Sequence, residues 1–574
     1  MIDEQSYLDE LDRIRAASWP KLVPRDVTYP LGERPLTDYV RHWGEVKGDQ
    51  TALVYYGTEF TFAELDRLSE SFANVLLDCG VRKGDRVAIF MPNCPQFHIA
   101  FFGILKLGAI HVPISPLCKE FELSYHLTDS SAKVLVTLDT LMPLVRAVRA
   151  EVAPEHVFST SLSHMLPADP TIQVPDFVRA ASVDCPDAVD FFSAVRSASA
   201  NRVEGADLDS PAALNYTGGT TGLPKGCIHT QRDMVFTGAA NCSVAMGAAE
   251  DIVWLSYFPE FWIAGENAAL IYPMITGCPL VLMTRWDPVG ILQAVSRYRA
   301  TNMALMVDGA VELMDHPRFG EFDLSSLRSV RVTSFVKKLN IEYRQRWFEL
   351  TGTILSESAW GMTETHTSNT FTTGMQDDDY DLKAQPIFVG LPVPGNEFKI
   401  CDFETGAIVP LDAEGEIVIR SPSLLKGYWN RPDESASALR NGWFYSGDIG
   451  LIDSHGYLHY LGRRKEMIKV KGMSIFPAEI EALLGKHPVV VGSGVIARPD
   501  DEKGQIPVAF VELKPGQKDS VSATDIANWL RQRIAAYKVP EIIVIDALPL
   551  TPTGKVRKTE LPALLENPVA DAHS

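Results

Sequence analysis

The sequence has no pair of cysteines spaced as C-x-x-C. Its eight cysteines, Cys79, Cys94, Cys118, Cys185, Cys227, Cys242, Cys278 and Cys401, are scattered. That excludes a zinc ribbon and a thioredoxin-like redox site, and it predicts reduced, buried thiols. No uncharged apolar run reaches about 18 residues, so neither a membrane span nor integral membrane association is expected. Met1-Ile2-Asp3-Glu4-Gln5 is acidic without a secretory apolar core, and Asp571-Ala572-His573-Ser574 matches no targeting signal. The expected location is cytoplasmic. Basic charge is in deficit: 53 Lys+Arg against 73 Asp+Glu give a formal net charge of −20. Whole-surface binding to nucleic acid or anionic membrane is therefore not expected, although a local basic patch can still hold a phosphorylated ligand. Repeats and low-complexity tracts are lacking. So are G-x-S-x-G and H-E-x-x-H, which leaves hydrolase and zinc-protease readings without support.

What is present is the alternation of an α/β protein. The 574 residues, 46% apolar and 22% charged, suit several packed units. Thr61-Phe62-Ala63-Glu64 reads as a capping box, followed by an apolar stripe at Leu65, Leu68, Phe72, Val75 and Leu76 that Gly80 can end. Val87–Met91 reads as a buried strand, Phe97–Leu107 as a helix closed by Gly108, and Ile110–Val112 and Val134–Val136 as strands. Asp287-Pro288 opens a helix that feeds the strand Met303–Val307. Such alternation predicts mostly parallel, helix-covered sheets. The stretch 150–210, rich in Ala, Ser, Asp and Pro, reads as a surface excursion. The last part of the chain reads as a separate small unit: helix Ala478–Leu484, strands near Val489–Ile496 and Val508–Leu513, helix Ala523–Ile534 and strand Ile542–Ile545. The charged stretch Gly462-Arg463-Arg464-Lys465-Glu466 before it suits a hinge. Asp377-Asp378-Asp379 reads as a solvated loop, with a metal site as the lesser alternative.

The most specific string is Tyr216-Thr217-Gly218-Gly219-Thr220-Thr221-Gly222-Leu223-Pro224-Lys225-Gly226. Glycines let backbone approach a ligand, and hydroxyls with a lysine suit a polyphosphate cradle. The string is not the G-x-x-x-x-G-K-[ST] loop. Others follow in order: Trp360-Gly361-Met362-Thr363-Glu364, Val389-Gly390-Leu391-Pro392-Val393-Pro394-Gly395, Leu425-Lys426-Gly427-Tyr428-Trp429 and Gly442-Trp443-Phe444-Tyr445-Ser446-Gly447-Asp448. Lys469-Val470-Lys471-Gly472 and Pro552-Thr553-Gly554-Lys555 close the series. Together they resemble the motifs of the adenylate-forming superfamily, which includes acyl-CoA synthetases, and they span the chain from about residue 30.

The resemblance implies a large N-terminal domain, residues 1–462, with helix-covered sheets and a small barrel-like part. It implies a hinge at 463–466 turning on Lys465, and a mobile α+β domain at 467–574. It implies that a carboxylic acid attacks the α-phosphorus of ATP, and that the acyl-adenylate then passes to coenzyme A. Thr217, Gly218, Gly219, Thr220, Thr221, Gly222 and Lys225 would hold the outer phosphates. Trp360, Gly361 and Met362 would line the nucleotide site. Thr363 would touch the α-phosphate and Glu364 would bind Mg²⁺. Asp448 would take the ribose hydroxyls, with Arg463 beside it, and Lys555 would bridge carboxylate and nucleotide. Lys469, Lys471 and Gly472 would meet coenzyme A. Glu260, Phe261, Trp262 and Ala359 are the candidate acid-pocket residues.

Two segments depart from the family pattern. Thr333-Ser334-Phe335-Val336-Lys337-Lys338 stands where relatives carry G-G-A-P, with Phe335 and Val336 as candidate walls of the adenine pocket. Pro259-Glu260-Phe261-Trp262 stands where many have P-x-F-H. With Trp254, Tyr257 and Phe258 nearby, a cage for a betaine- or carnitine-type acid is one alternative. A medium- or long-chain fatty acid is the expected substrate, with aryl acids behind it. Carrier-protein loading and non-catalytic nucleotide binding are the rival functions. Monomer and homodimer both remain open. Gly492-Ser493-Gly494-Val495-Ile496-Ala497 fits a dinucleotide fingerprint only superficially, because no helix follows. His366 is expected to line the cleft or to cap its loop.

Overall fold

A computed structural model gives the structure of residues 2–149, 152, 154–217, 223–245, 251–357, 360–384, 387–470, 473–500, 502–518, 520–551 and 554–566. Two seven-stranded sheets form the main body. The first runs Val189–Asp190, His156–Thr160, Val134–Leu138, Arg86–Phe90, Ile110–Ile114, Pro211–Tyr216 and Gly226–Thr230. The second runs Leu355–Glu357, Ser329–Thr333, Asn302–Met306, Trp254–Ser256, Leu280–Leu282, Thr51–Tyr55 and Thr58–Thr61. Every pairing in both is parallel except the last in each order. Parallel sheets bury both faces, and their strands are accordingly apolar runs such as Val134–Leu138, buried throughout.

The local signals hold. Thr61 Oγ1 accepts from the Glu64 N–H, and the Glu64 carboxylate accepts from the Thr61 N–H, opening the helix Phe62–Asp78. Gly108, at φ 71°, closes the helix Pro95–Leu107. That helix is buried at every residue, and with Phe62–Asp78 it shares one core with both sheets. Asp287 caps the helix Pro288–Tyr298 by accepting from the Gly290 N–H at 2.7 Å.

The stretch 150–210 is a correction. It adds strands His156–Thr160 and Val189–Asp190 to the first sheet, and it buries Ile172, Val174, Val178 and Phe191 in the core. Its apolar residues come in ones and twos and gain their partners only in the tertiary fold. Asp377 and Asp378 of the acidic triplet are exposed, Asp378 with Lys383 at 2.8 Å, while Asp379 meets Arg344 at 2.9 Å. Among the described residues no cluster of three or more His, Cys, Asp or Glu could hold a metal. All eight cysteines are free; five are buried, and Cys79, Cys118 and Cys185 are half-buried. No described helix is long and apolar enough to cross a membrane.

A third, antiparallel sheet carries the strands Ile387–Pro392, Glu397–Cys401, Gly415–Arg420, Trp443–Ile452 and Leu458–Arg463. The C-terminal unit follows: strands Ile468–Val470, Met473–Ile475, Val490–Asp500, Gly504–Leu513 and Glu541–Ile545 with helices Pro477–Leu484 and Ala523–Arg531. It has its own core. It also touches the main body. Val336 is buried among Val508, Phe510, Leu548 and Leu561 of the C-terminal unit. Gly492 explains the superficial fingerprint, since a Cβ there would come within 2.3 Å of Val336 Cγ1.

Candidate active site

The phosphate-loop segment joins Pro211–Tyr216 to Gly226–Thr230, which pair with Tyr216 opposite Gly226. The Thr217 N–H donates to the Lys225 carbonyl at 2.9 Å, and the Lys225 N–H donates to Thr217 Oγ1 at 3.1 Å. These bonds tie the two ends of the loop together. Gly218, Gly219, Thr220, Thr221 and Gly222 lie outside the described residues.

Lys225 does not stand alone. Its Nζ lies 3.9 Å from the centroid of the Tyr428 ring, and the Tyr428 hydroxyl donates to Glu364 Oε1 at 3.0 Å. One ring thereby joins the loop lysine to the carboxylate of the Trp360–Glu364 motif. Backbone bonds hold that ring in place: Leu425 N–H to the Glu364 carbonyl, Lys426 N–H to Ile228 and Trp429 N–H to Gly226. Burial, then the Glu364 charge, raises the Tyr428 pKa, so the phenol stays a donor.

Gly361-Met362 pairs antiparallel with Thr367-Ser368. A Cβ on Gly361 would lie 1.9 Å from the Thr367 carbonyl oxygen, so only glycine fits. The turn Thr363–Thr365 follows, with His366 at φ 58°. His229 Nε2 faces the Thr363 carbonyl at 2.8 Å. His366 is fully buried, 3.6 Å from Glu266, so it supports this turn from beneath and does not line the cleft.

Asp448 and Arg463 are partners across neighbouring strands. Arg463 Nε lies 2.7 Å from Asp448 Oδ1, and Trp360 Nε1 donates to Asp448 Oδ2 at 2.8 Å. The Trp360 indole is buried edge-on to Phe398. Burial pushes the Asp448 carboxyl up to about 6, against the pull of Arg463 and the Trp360 bond and with a smaller push from Glu364.

Lys555 comes from the C-terminal unit. Its backbone N–H donates to Thr551 Oγ1 at 3.0 Å, and its carbonyl accepts from the Thr551 N–H at 2.7 Å. Its Nζ lies 5.0 Å from the centroid of the Phe335 ring. Lys555 is exposed; desolvation by the neighbouring protein, then Arg463, lowers its pKa, while Asp448 and Glu364 oppose that shift. Asp448 and Arg463 are paired directly, Trp360 ties Asp448 to the strand that leads into Glu364, and Lys555 faces the same side from the C-terminal unit, against Phe335. Lys465 lies in the turn Arg464–Glu466. Lys469 is exposed and donates to Ser474 Oγ at 2.7 Å. Lys471 and Gly472 lie outside the described residues.

Of the acid-pocket candidates, Trp262 and Phe261 are half-buried, and Ala359 lies outside the described residues. The Trp262 ring is 5.9 Å from Phe335 and 6.1 Å from Phe258. Glu260 is fully buried and meets His98 Nε2 at 2.6 Å, so its carboxylate points into the core. Trp254 packs on Tyr272, and Tyr257 on Trp286. These residues do not converge on one point as a cation cage would.

Sequence reading missed the Tyr428 link, the His229 support and the Phe335–Lys555 contact. The string Leu425–Trp429 was visible, but nothing in it assigned Tyr428 a partner.

The family described as AMP-binding enzyme matches residues 40–429, and the AMP-binding enzyme C-terminal domain matches residues 479–555. The chain belongs to this family. It is similar to the long-chain-fatty-acid–CoA ligase of Bacillus subtilis (strain 168), 31% identical over 564 residues, covering 95% of this chain and 97% of that protein. It is also similar to 4-coumarate–CoA ligase 2 of Nicotiana tabacum, 29% identical over 88% of this chain and 89% of that one. Among solved structures, the anthranilate CoA ligase AuaEII in complex with anthranoyl-AMP superposes with a TM-score of 0.80 at 27% identity, covering 96% of this chain and 99% of that one. ATP-bound MatB from Rhodopseudomonas palustris gives 0.78 at 26%, covering 93% and 99%. This AMP-binding enzyme is an AMP-forming acid–CoA ligase, with ATP and coenzyme A as substrates.

Proposed function

We propose that the acid is a medium- or long-chain fatty acid. Its carboxylate oxygen forms a bond to the α-phosphorus of ATP while the bridging bond to the β-phosphate breaks and pyrophosphate leaves. The thiolate of coenzyme A then attacks the acyl carbon and AMP departs. Lys555 stabilises the charge that develops as carboxylate and nucleotide meet. Asp448, flanked by Trp360 and Arg463, takes the ribose hydroxyls as a charged acceptor. Thr217 to Lys225 hold the outer phosphates, Gly361 and Met362 shape the nucleotide wall, and Thr363 touches the α-phosphate. Glu364 suits Mg²⁺, because that ion is ordinarily held by one or two carboxylates plus substrate phosphates. When bound, the ion neutralises phosphate charge.

The observation that supports this reading is the chain of contacts Lys225–Tyr428–Glu364 beside the Trp360–Asp448–Arg463 cluster, with Lys555 of the C-terminal unit set against Phe335 of the main body. The C-terminal domain, 467–574, then turns about the hinge 463–466 at Lys465, and Lys469, Lys471 and Gly472 meet coenzyme A. Trp262 and Phe261 wall the pocket of the N-terminal domain, 1–462. The names of the bacterial relatives support the fatty acid.

One observation favours a second reading, an aryl acid: the Trp262 and Phe335 rings stand together beside Lys555, where a flat ring would pack. The test is pyrophosphate release with MgATP over a panel of fatty acids, benzoates, phenylpropenoates and betaines, with and without coenzyme A. Acyl-CoA formation from fatty acids alone is expected. Activity confined to aryl acids would replace the first reading with the second, and pyrophosphate without coenzyme A consumption would point to carrier-protein loading.

A further inference from the structure

The segment that departs from the family pattern, Thr333–Lys338, sits where the main body, the acid pocket and the C-terminal unit meet. Its backbone is fixed from behind. The Ser334 N–H and hydroxyl both donate to Glu357, at 2.8 and 2.6 Å, and Ser334 Oγ accepts from the Leu339 N–H at 3.0 Å. Lys338 Nζ donates back to the carbonyls of Ser334 and Phe335, at 3.2 and 3.0 Å. Two side chains project from this rigid turn. Val336 fits over Gly492 into the apolar cluster of Val508, Phe510, Leu548 and Leu561. Phe335 has the Lys555 ammonium 5.0 Å from its ring centroid and the Trp262 ring 5.9 Å away. A cation that close to an aromatic face is attracted by the ring quadrupole. An all-glycine and alanine turn could supply neither contact.

We propose that Phe335 is a positioning residue for the adenylation half-reaction: its ring holds the Lys555 ammonium at the mouth of the acid pocket, while Val336 seats the C-terminal unit in that orientation. The inference rests on Lys555 being the lysine that serves acyl-adenylate formation. The turn thus couples the docking of the moving unit to the placement of its lysine. The proposal also predicts an asymmetry. Once the acyl-adenylate exists, Lys555 has finished its work, and loss of the ring no longer matters.

The experiment uses the full chain and the acid that the panel identifies. Phe335→Leu, Phe335→Tyr, Val336→Ala and Lys555→Ala are compared in two separate assays. One follows pyrophosphate release from acid and MgATP. The other follows acyl-CoA formation from supplied acyl-AMP and coenzyme A. Phe335→Leu is expected to slow adenylation roughly three- to fivefold, the range of a cation–π contact at an exposed site, with the KM for ATP little changed. Thioester formation should stay within about twofold, and Phe335→Tyr should restore adenylation because it keeps the π-face. Equal loss in both assays, or full adenylation by Phe335→Leu, overturns the proposal. If Lys555→Ala itself keeps adenylation, the reading of Lys555 falls and the proposal falls with it. If Lys555→Ala is dead and Phe335→Leu is normal, only the Phe335 proposal falls.

A second readout needs no substrate. Limited trypsin cleavage after Arg464 and Lys465 should be several-fold faster in Val336→Ala than in the parent chain, because the C-terminal unit is less firmly seated. Unchanged cleavage overturns the seating role of Val336.

Discussion

At the scale of single residues, Asp448 is the most informative. Its carboxyl is buried, braced by Trp360 and Arg463, and raised to about 6. A ribose hydroxyl donates best to a carboxylate, so protonation weakens the site. The KM for ATP is therefore expected to rise as pH falls through about 6, and Asp448→Asn should give a weaker but flat profile between pH 5 and 8. A parallel pH dependence in the variant would remove Asp448 as its source. The linkage to stability has a definite sign. From the ordinary value of 3.8 up to about 6, the folded state keeps a proton that the unfolded state has lost, so stability declines as pH rises across that window. Asp448→Asn should abolish that part of the slope in denaturant titrations. None of this was readable in Gly442–Asp448 as text, because the raised pKa comes from burial that only the folded strands create.

At the scale of elements, the two parallel sheets were legible because buried strands read as apolar runs and their helices carry caps and terminal glycines. The stretch 150–210 was not, since Ile172, Val174 and Val178 show no period and are buried only against partners elsewhere in the chain. The segment Leu425–Trp429 was legible as a motif but not as a mechanism. Tyr428 places its ring under Lys225 and its hydroxyl on Glu364, so the two parts can be tested apart. Tyr428→Phe keeps the ring and removes the bond to a charged acceptor. It should lower the adenylation rate about tenfold with an unchanged melting temperature. A normal rate would show that the hydroxyl does not orient Glu364. Gly361→Ala is expected to fail differently. Its Cβ has no room beside the Thr367 carbonyl, so the hairpin under Thr363 must open, and both stability and activity should fall.

At the scale of the whole molecule, the proposed site belongs to neither part alone. The main body supplies Glu364, Asp448 and Arg463, and the C-terminal unit supplies Lys555. On the proposed reading, Lys465→Pro restricts the pivot and should spare adenylation while slowing acyl transfer to coenzyme A on the order of tenfold. Loss of both half-reactions would instead mean that the substitution disrupts docking. From sequence, the altered loop at Thr333–Lys338 offered Phe335 and Val336 as candidate walls of the adenine pocket. Only the fold shows Val336 inside the C-terminal unit and Phe335 beneath Lys555, because those partners lie more than 150 residues further along the chain.

The pairing of Asp448 with Arg463 has one more consequence. Arg463 ends its strand in register with Asp448, and the turn Arg464–Glu466 begins at the next residue. The covalent departure point of the C-terminal unit is thus bolted to the spot assigned to the ribose. On the proposed reading of a moving C-terminal domain, a rotation that starts there turns about a stationary spindle. The nucleotide stays on the fixed side while first a lysine and then a thiol are carried past it. Two chemically different visitors can therefore be presented in sequence to one immobile α-phosphate, without the acyl-adenylate being released and recaptured between them.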